Sequence, residues 1–343
     1  MPLPKRISYG FVALLLILIG WFDLTTPLLT VLFSLFALEL LHRVMNKHLT
    51  VVFFVVLVSL VIYGLIFFLN RTFVELPQIA SKTIPAVIDF AHKQGMQLPF
   101  EDPKSFKEVL LEEVKGELGR VGHFMRVAIW EFAALVIGLV VAISMFFNAK
   151  FDLGEEHHAV KNNLYSLTGA EIANRFRTFF ESFATVMGAQ IIISAINATL
   201  TGIYLFWIHL PYATVIIAIT FLCGLLPIIG NILSNTLIVG VALTISPQLA
   251  LASLVFLMAI HKLEYFLNSK IIGERIKNPM WLTLLGLVLG ERLMGIPGMI
   301  LAPVVLHYIK VEASKNRVAG ESIVTVDHSP SPSDAPKPDS ASR

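Results

Sequence analysis

Apolar runs close to the roughly 20 residues needed to cross a hydrocarbon layer recur along this chain, and they limit its fold more than any other feature. They lie at 7–22, 24–41, 51–70, 127–147, 183–208, 212–267 and 281–309. The chain is 56% hydrophobic and 15% charged, against about 25% charged in an ordinary soluble domain. A single soluble domain is excluded, and the expected fold is an all-α polytopic membrane protein.

The last two runs are too long for one crossing at about 1.5 Å of rise per residue. Pro227 and Gly230 divide the first of them, Pro247 divides it again, and Gly295, Pro297 and Gly298 divide the second. Each break joins two short crossing helices or forms the tip of a re-entrant hairpin, because irregular backbone at membrane depth needs protein or water around it.

Basic residues orient the segments. Lys5, Arg6, Arg43, Lys47, Lys270, Arg275 and Lys277 fall on one side if the segments alternate, and the excess of Lys and Arg marks that side as cytoplasmic. Both termini are expected inside. The basic start followed by an apolar run has the form of a signal peptide. However, a second apolar run follows with no small-x-small cleavage site, so a retained first helix is expected.

The expected organisation is a helical hairpin over 1–50, a third transmembrane helix over 51–70 and an extracytoplasmic amphipathic helical segment over 71–126. A carboxyl-terminal transmembrane core over 127–310 contains a cytoplasmic loop at 148–182, and a disordered cytoplasmic tail occupies 311–343. Within 71–126, Phe106, Val109, Leu110, Val114, Leu118, Val121 and Met125 recur at helical spacing and predict an amphipathic helix. Residues 170–182 extend the next membrane helix into the cytoplasm. The proline-rich tail lacks the large apolar residues that would offset the cost of ordering it.

Several chemistries are absent from the sequence. There is no GxxxxGKS/T loop, GxGxxG fingerprint, HExxH motif or GxSxG elbow. No enzymatic activity, cofactor or metal is expected. The near balance of 26 basic and 24 acidic residues gives no nucleic-acid footprint. Cys223 is the lone cysteine, so intramolecular disulfides and cysteine-rich metal centres are excluded.

Polar residues inside the apolar runs carry the functional signal. Beside the Pro227 and Gly230 break, Asn231, Ser234, Asn235 and Thr236 supply uncharged donors and acceptors suited to a transport passage, and Asn197 in the preceding helix can face the same space. The alternative use of such residues is helix–helix hydrogen bonding. Glu264 sits near the end of an apolar helix, where an unpaired carboxylate is costly, so it must be paired, solvated or protonated. His261 and Asn268 share its helical face, making it the leading coupling candidate, with a structural ion pair as its other reading. Glu291 and Arg292 are further coupling candidates, and Glu264 with Arg292 is a conceivable pair. Gly295 and Gly298 complete the transport-pathway candidates.

The Pro-x-x-Gly break at Pro227 and Gly230, the acidic helix residue Glu264, Gly273 after the charged loop and the Gly295, Gly298 and Pro303 ending resemble the AI-2E, or PerM-like, family of bacterial transporters. The likeness covers roughly residues 7–310. Departures are His261 and Lys262 where the family commonly has glutamine, the missing proline near Ile271–Gly273, and the charged Glu291 and Arg292. The resemblance implies a multispanning inner-membrane permease with about eight transmembrane segments, homo-oligomeric, for which the family offers export of the signal autoinducer-2 or sodium–proton exchange. Expected partners are a small polar solute or a monovalent cation or proton, the lipid bilayer, and further copies of the chain. A non-transporting scaffold that binds partners through its external helix and cytoplasmic loop is the reading from a different class.

Overall fold

A computed structural model describes residues 2–22, 24–95, 121–148, 163–226, 229–272 and 279–315. Among these the chain is all helical: α1 (Leu3–Trp21), α2 (Thr25–His42), α3 (Lys47–Lys93), α4 (Val121–Phe147), α5 (Leu164–Trp207), α6 (Ala213–Gly224), α7 (Ile229–Leu243), α8 (Pro247–Ile272) and α9 (Met280–Ser314). Seven of them are long and apolar enough to cross a membrane, and α6 and α7 are shorter. The expected amphipathic helix over Phe106–Met125, the charged loop with Gly273 and the carboxyl-terminal tail lie wholly or largely outside the described residues.

Local chemistry sets several boundaries. Asn163 caps α5 by accepting the backbone N–H of Ser166 at 2.8 Å. Ser246 accepts the N–H of Leu249 at 3.1 Å, and Pro247 then opens α8 where its missing donor costs nothing. The third helix does not end with its apolar run at residue 70. It continues to Lys93 with Pro77 and Pro85 inside it, and an i,i+4 pair of Arg71 and Glu75 at 2.7 Å spans the end of the apolar run. The 44-residue α5 likewise absorbs residues 170–182, as expected.

Three apolar clusters hold the helices together. Leu38, Phe54 and Phe146 join α2, α3 and α4. Leu32, Phe183, Met187, Leu301 and Val304 join α2, α5 and α9. Ile79, Leu205, Ile216, Ile238, Val241 and Leu257 join the far part of α3 to α5, α6, α7 and α8. Helix α5 runs through two of the three clusters and is the structural axis. Outward-facing side chains such as Phe53, Leu60, Ile66 and Phe67 are more than half exposed, a surface suited to acyl chains rather than to water.

Both sequence breaks are sharp reversals. In α9, Gly295 has φ 62° and ψ −148°, a left-handed backbone open to glycine. The two arms then fold back on each other: a Cβ on Gly298 would lie 2.0 Å from the Gly290 carbonyl oxygen, and Gly286 faces Leu306 and Ala302. Replacing Gly298 by alanine is expected to destabilise the protein by about 1–3 kcal/mol through overpacking. The control is Gly64→Ala, whose new methyl meets nothing within 4 Å. Equal thermal unfolding of the two variants would contradict the close contact. At the first break, a Cβ on Gly230 would lie 1.6 Å from the Cys223 carbonyl oxygen, so the start of α7 lies directly on the end of α6.

Candidate functional site

The start of α7 brings the polar residues of the first break against α5 and α8. Asn231 Nδ2 donates to both carboxylate oxygens of Glu264, at 2.9 Å each. Asn197 Nδ2, from α5, donates to Glu264 Oε2 at 3.2 Å. His261, one turn earlier on α8, places Nδ1 3.6 Å from the same oxygen, and its Nε2 lies 3.0 Å from Asn235 Nδ2. Four residues singled out in the sequence, Asn197, Asn231, Asn235 and Glu264, thus meet in one cluster drawn from three helices.

The Glu264 side chain is 14% exposed and His261 49% exposed. Among the described residues, no lysine or arginine pairs with Glu264. Its environment is apolar helix surface relieved by amide donors, and these N–H groups offset part of the cost of an ionised carboxylate there. With amide donors and no paired cation among the described residues, the carboxylate is chemically able to take up a proton or a further hydrogen-bond donor.

Further polar atoms lie on α5 along the turns next to Asn197. Gln190 Nε2 donates to the Gly224 carbonyl at 2.6 Å, holding the end of α6 against α5. Ser194 is fully buried, and an added Cβ on Gly224 would come within 2.6 Å of its Oγ. Ser194 Oγ and Asn197 Oδ1 have no hydrogen-bond partner among the described residues. Sequence reading missed Gln190 and Ser194, yet Gln190, Ser194, Asn197 and Thr201 follow one another at helical spacing, a polar stripe that would have found them.

Other candidates lie apart from the cluster. Pro227 and the side chain of Asn268 fall outside the described residues. Gly230 supplies the close turn into α7 rather than a ligand atom. Thr236 is exposed and donates to its own helix at the Ile232 carbonyl, 2.7 Å away. Glu291 and Arg292 are exposed on α9, and Arg292 makes no ion pair with Glu264, whose carboxylate is satisfied by asparagines instead. Gly295 and Gly298 shape the α9 hairpin, which packs chiefly on α5 and α2, whereas α7 packs chiefly on α8, α6 and α3. The second break therefore contributes no side chain to the cluster.

A separate ionic centre, not anticipated from sequence, ties α1, α5 and α9 together. Arg175, its side chain 3% exposed, donates from Nη1 to Glu312 and from Nε to Ser8 Oγ at 2.6 Å. Its guanidinium lies 3.6 Å from the centre of the Tyr9 ring, and Tyr9 donates its hydroxyl to Glu312 at 3.1 Å. In sequence, Arg175 reads only as one of several loop cations.

Long apolar helices, two reversed hairpins and an interior carboxylate held by amides define a multi-pass helical membrane protein with a polar site in its body. Over residues 9–314 the chain matches the description AI-2E family transporter, and it belongs to that family. YdbI of Bacillus subtilis (strain 168), which carries a transport-protein name, is 30% identical over 170 residues, 49% of each chain. The chain thus matches about half the length of this curated relative.

Proposed function

We propose that the chain is a permease that moves a small polar solute past Glu264 and couples that movement to protonation of the carboxylate. The isolation of Glu264 carries this reading: an acid on an apolar helix, surrounded by neutral amides and lacking a fixed cation among the described residues. A purely structural acid would be expected to have such a cation. Asn231 and Asn235 offer hydrogen bonds that a polar solute can take over and give back. The scaffold reading treats the same groups as packing devices and leaves the unpartnered Ser194 and Asn197 oxygens without a purpose.

The hairpins fit this role. Helices α6 and α7 have 12 and 15 residues, or about 18 and 22 Å at the helical rise, less than a hydrocarbon core of about 30 Å. We read α6–α7 as a re-entrant hairpin whose tip delivers Asn231 to Glu264, and α9 as a second one. The basic loops support cytoplasmic termini in a bacterial inner membrane. The outward apolar surface of α3 supports lipid contact and assembly with further copies.

The test is flux in proteoliposomes with Asn231→Leu, with insertion and folding checked separately. Loss of both contacts of the Asn231 amide with the carboxylate predicts a fall of about tenfold or more. Flux equal to that of the unaltered protein would remove Asn231 from the pathway. A second reading, sodium–proton exchange, draws support from two unpartnered buried oxygens on α5, Asn197 Oδ1, whose amide nitrogen bonds the carboxylate, and Ser194 Oγ one turn earlier. Hard oxygen donors of this kind suit a small cation. Sodium-dependent proton movement without organic cargo would favour it.

A further inference from the structure

We propose that His261 relays protons between water and Glu264, a role that rests on reading Glu264 as the coupling carboxylate. Asn235 presents its amide nitrogen to His261 Nε2 at 3.0 Å. With the amide in this orientation Nε2 is the acceptor, and a neutral ring then carries its proton on Nδ1. That atom faces Glu264 Oε2 at 3.6 Å, a gap that a small rotation or one water closes.

The exposure of the two groups divides the labour. Glu264 is 14% exposed while His261 is 49% exposed, and Lys262 beside it is exposed as well. An imidazole, an amide and an ammonium together at a hydrocarbon surface would be costly, so this edge of α8 faces water or a polar passage. Across from the ring, α7 presents Asn231 and Asn235 and α5 presents Asn197, none of which titrates. Glu264 is the acid facing the ring, and Lys262 is the neighbouring cation on its own helix.

Each transfer balances. A proton from water binds Nε2, and the Asn235 amide turns to offer its oxygen. The Nδ1 proton then passes to Oε2 of Glu264, leaving a neutral ring protonated at Nε2 and a neutral carboxylic acid. The half-exposed ring resets by exchange with water. An imidazole suits the task because one ring nitrogen can take up a proton while the other releases one.

The test is a pH jump on the reconstituted full-length protein, followed by the infrared carbonyl band of protonated Glu264, assigned by its absence in Glu264→Gln. His261→Gln keeps an amide at this position but no titratable ring, and it is expected to slow growth of the band at least about tenfold. Free imidazole should restore the rate in His261→Ala, which a merely structural role would not allow. An unchanged rate in His261→Gln, or a slowed His261→Ala that imidazole does not rescue, would overturn the relay. If no Glu264 band responds to pH, relay and coupling fall together. A His261-dependent rate in a protein without flux would overturn transport alone and leave the relay standing.

Discussion

Glu264→Gln is expected to reduce pH-driven flux at least about tenfold, the scale of a coupling free energy between two ligands, while leaving the protein folded. The glutamine oxygen, set at the Oε1 position, still accepts the N–H group of Asn231. Its new amide donor meets Asn197, whose Oδ1 is buried without a partner and becomes an acceptor once that amide turns over. The substitution therefore removes the exchangeable proton and little else. Thermal unfolding measured beside flux separates the two effects. A large loss of stability with flux per folded molecule unchanged would assign Glu264 a structural role.

Arg175→Met is expected to have the largest effect on stability. The guanidinium is 97% buried by side-chain area, being 3% exposed, and joins Ser8 of α1 and Glu312 of α9 to α5. Removing one member of a buried ion pair typically costs about 3–5 kcal/mol, because the other charge is left without compensation. Glu312 still has Lys315 nearby, at 3.6 Å, so the cost should fall toward the lower end of that range. The double variant Arg175→Met with Glu312→Met should recover part of the loss, since a matched apolar pair carries no stranded charge. Thermal unfolding of the single and double variants in lipid nanodiscs reads both effects. A single variant as stable as the unaltered protein would show that the apolar clusters alone hold α1 and α9 in place.

These two sites also show what was legible in the sequence. The helices follow the apolar runs closely because a bilayer forces backbone groups to bond within each segment, and Gly295 and Pro247 mark real boundaries. The apolar span at 51–70 and the helical segment after it form one continuous helix, because Arg71 ends the apolar pattern without ending the helix. Asn231, Asn235 and Glu264 could be singled out because each is a polar exception in an apolar run, a signal that needs no knowledge of contacts. Their meeting with Asn197 came from packing, and Gln190 and Ser194 were passed over because serine and glutamine are unremarkable in a long mixed helix. Arg175 could not be distinguished from a loop cation, since its partners lie 137 and 167 positions away. Glu291 and Arg292 gave the same polar signal as Glu264 but stayed on the outside of α9, where charge can reach water or headgroups.

The most direct measurement is flux into proteoliposomes of the purified protein, with a panel of small polar solutes and with internal pH and sodium reporters, run beside Glu264→Gln. Coupled transport through this site predicts that protons move with a solute, or against sodium, and that the glutamine variant loses this movement. A flat panel from demonstrably folded protein, or equal proton movement in both proteins, would contradict it.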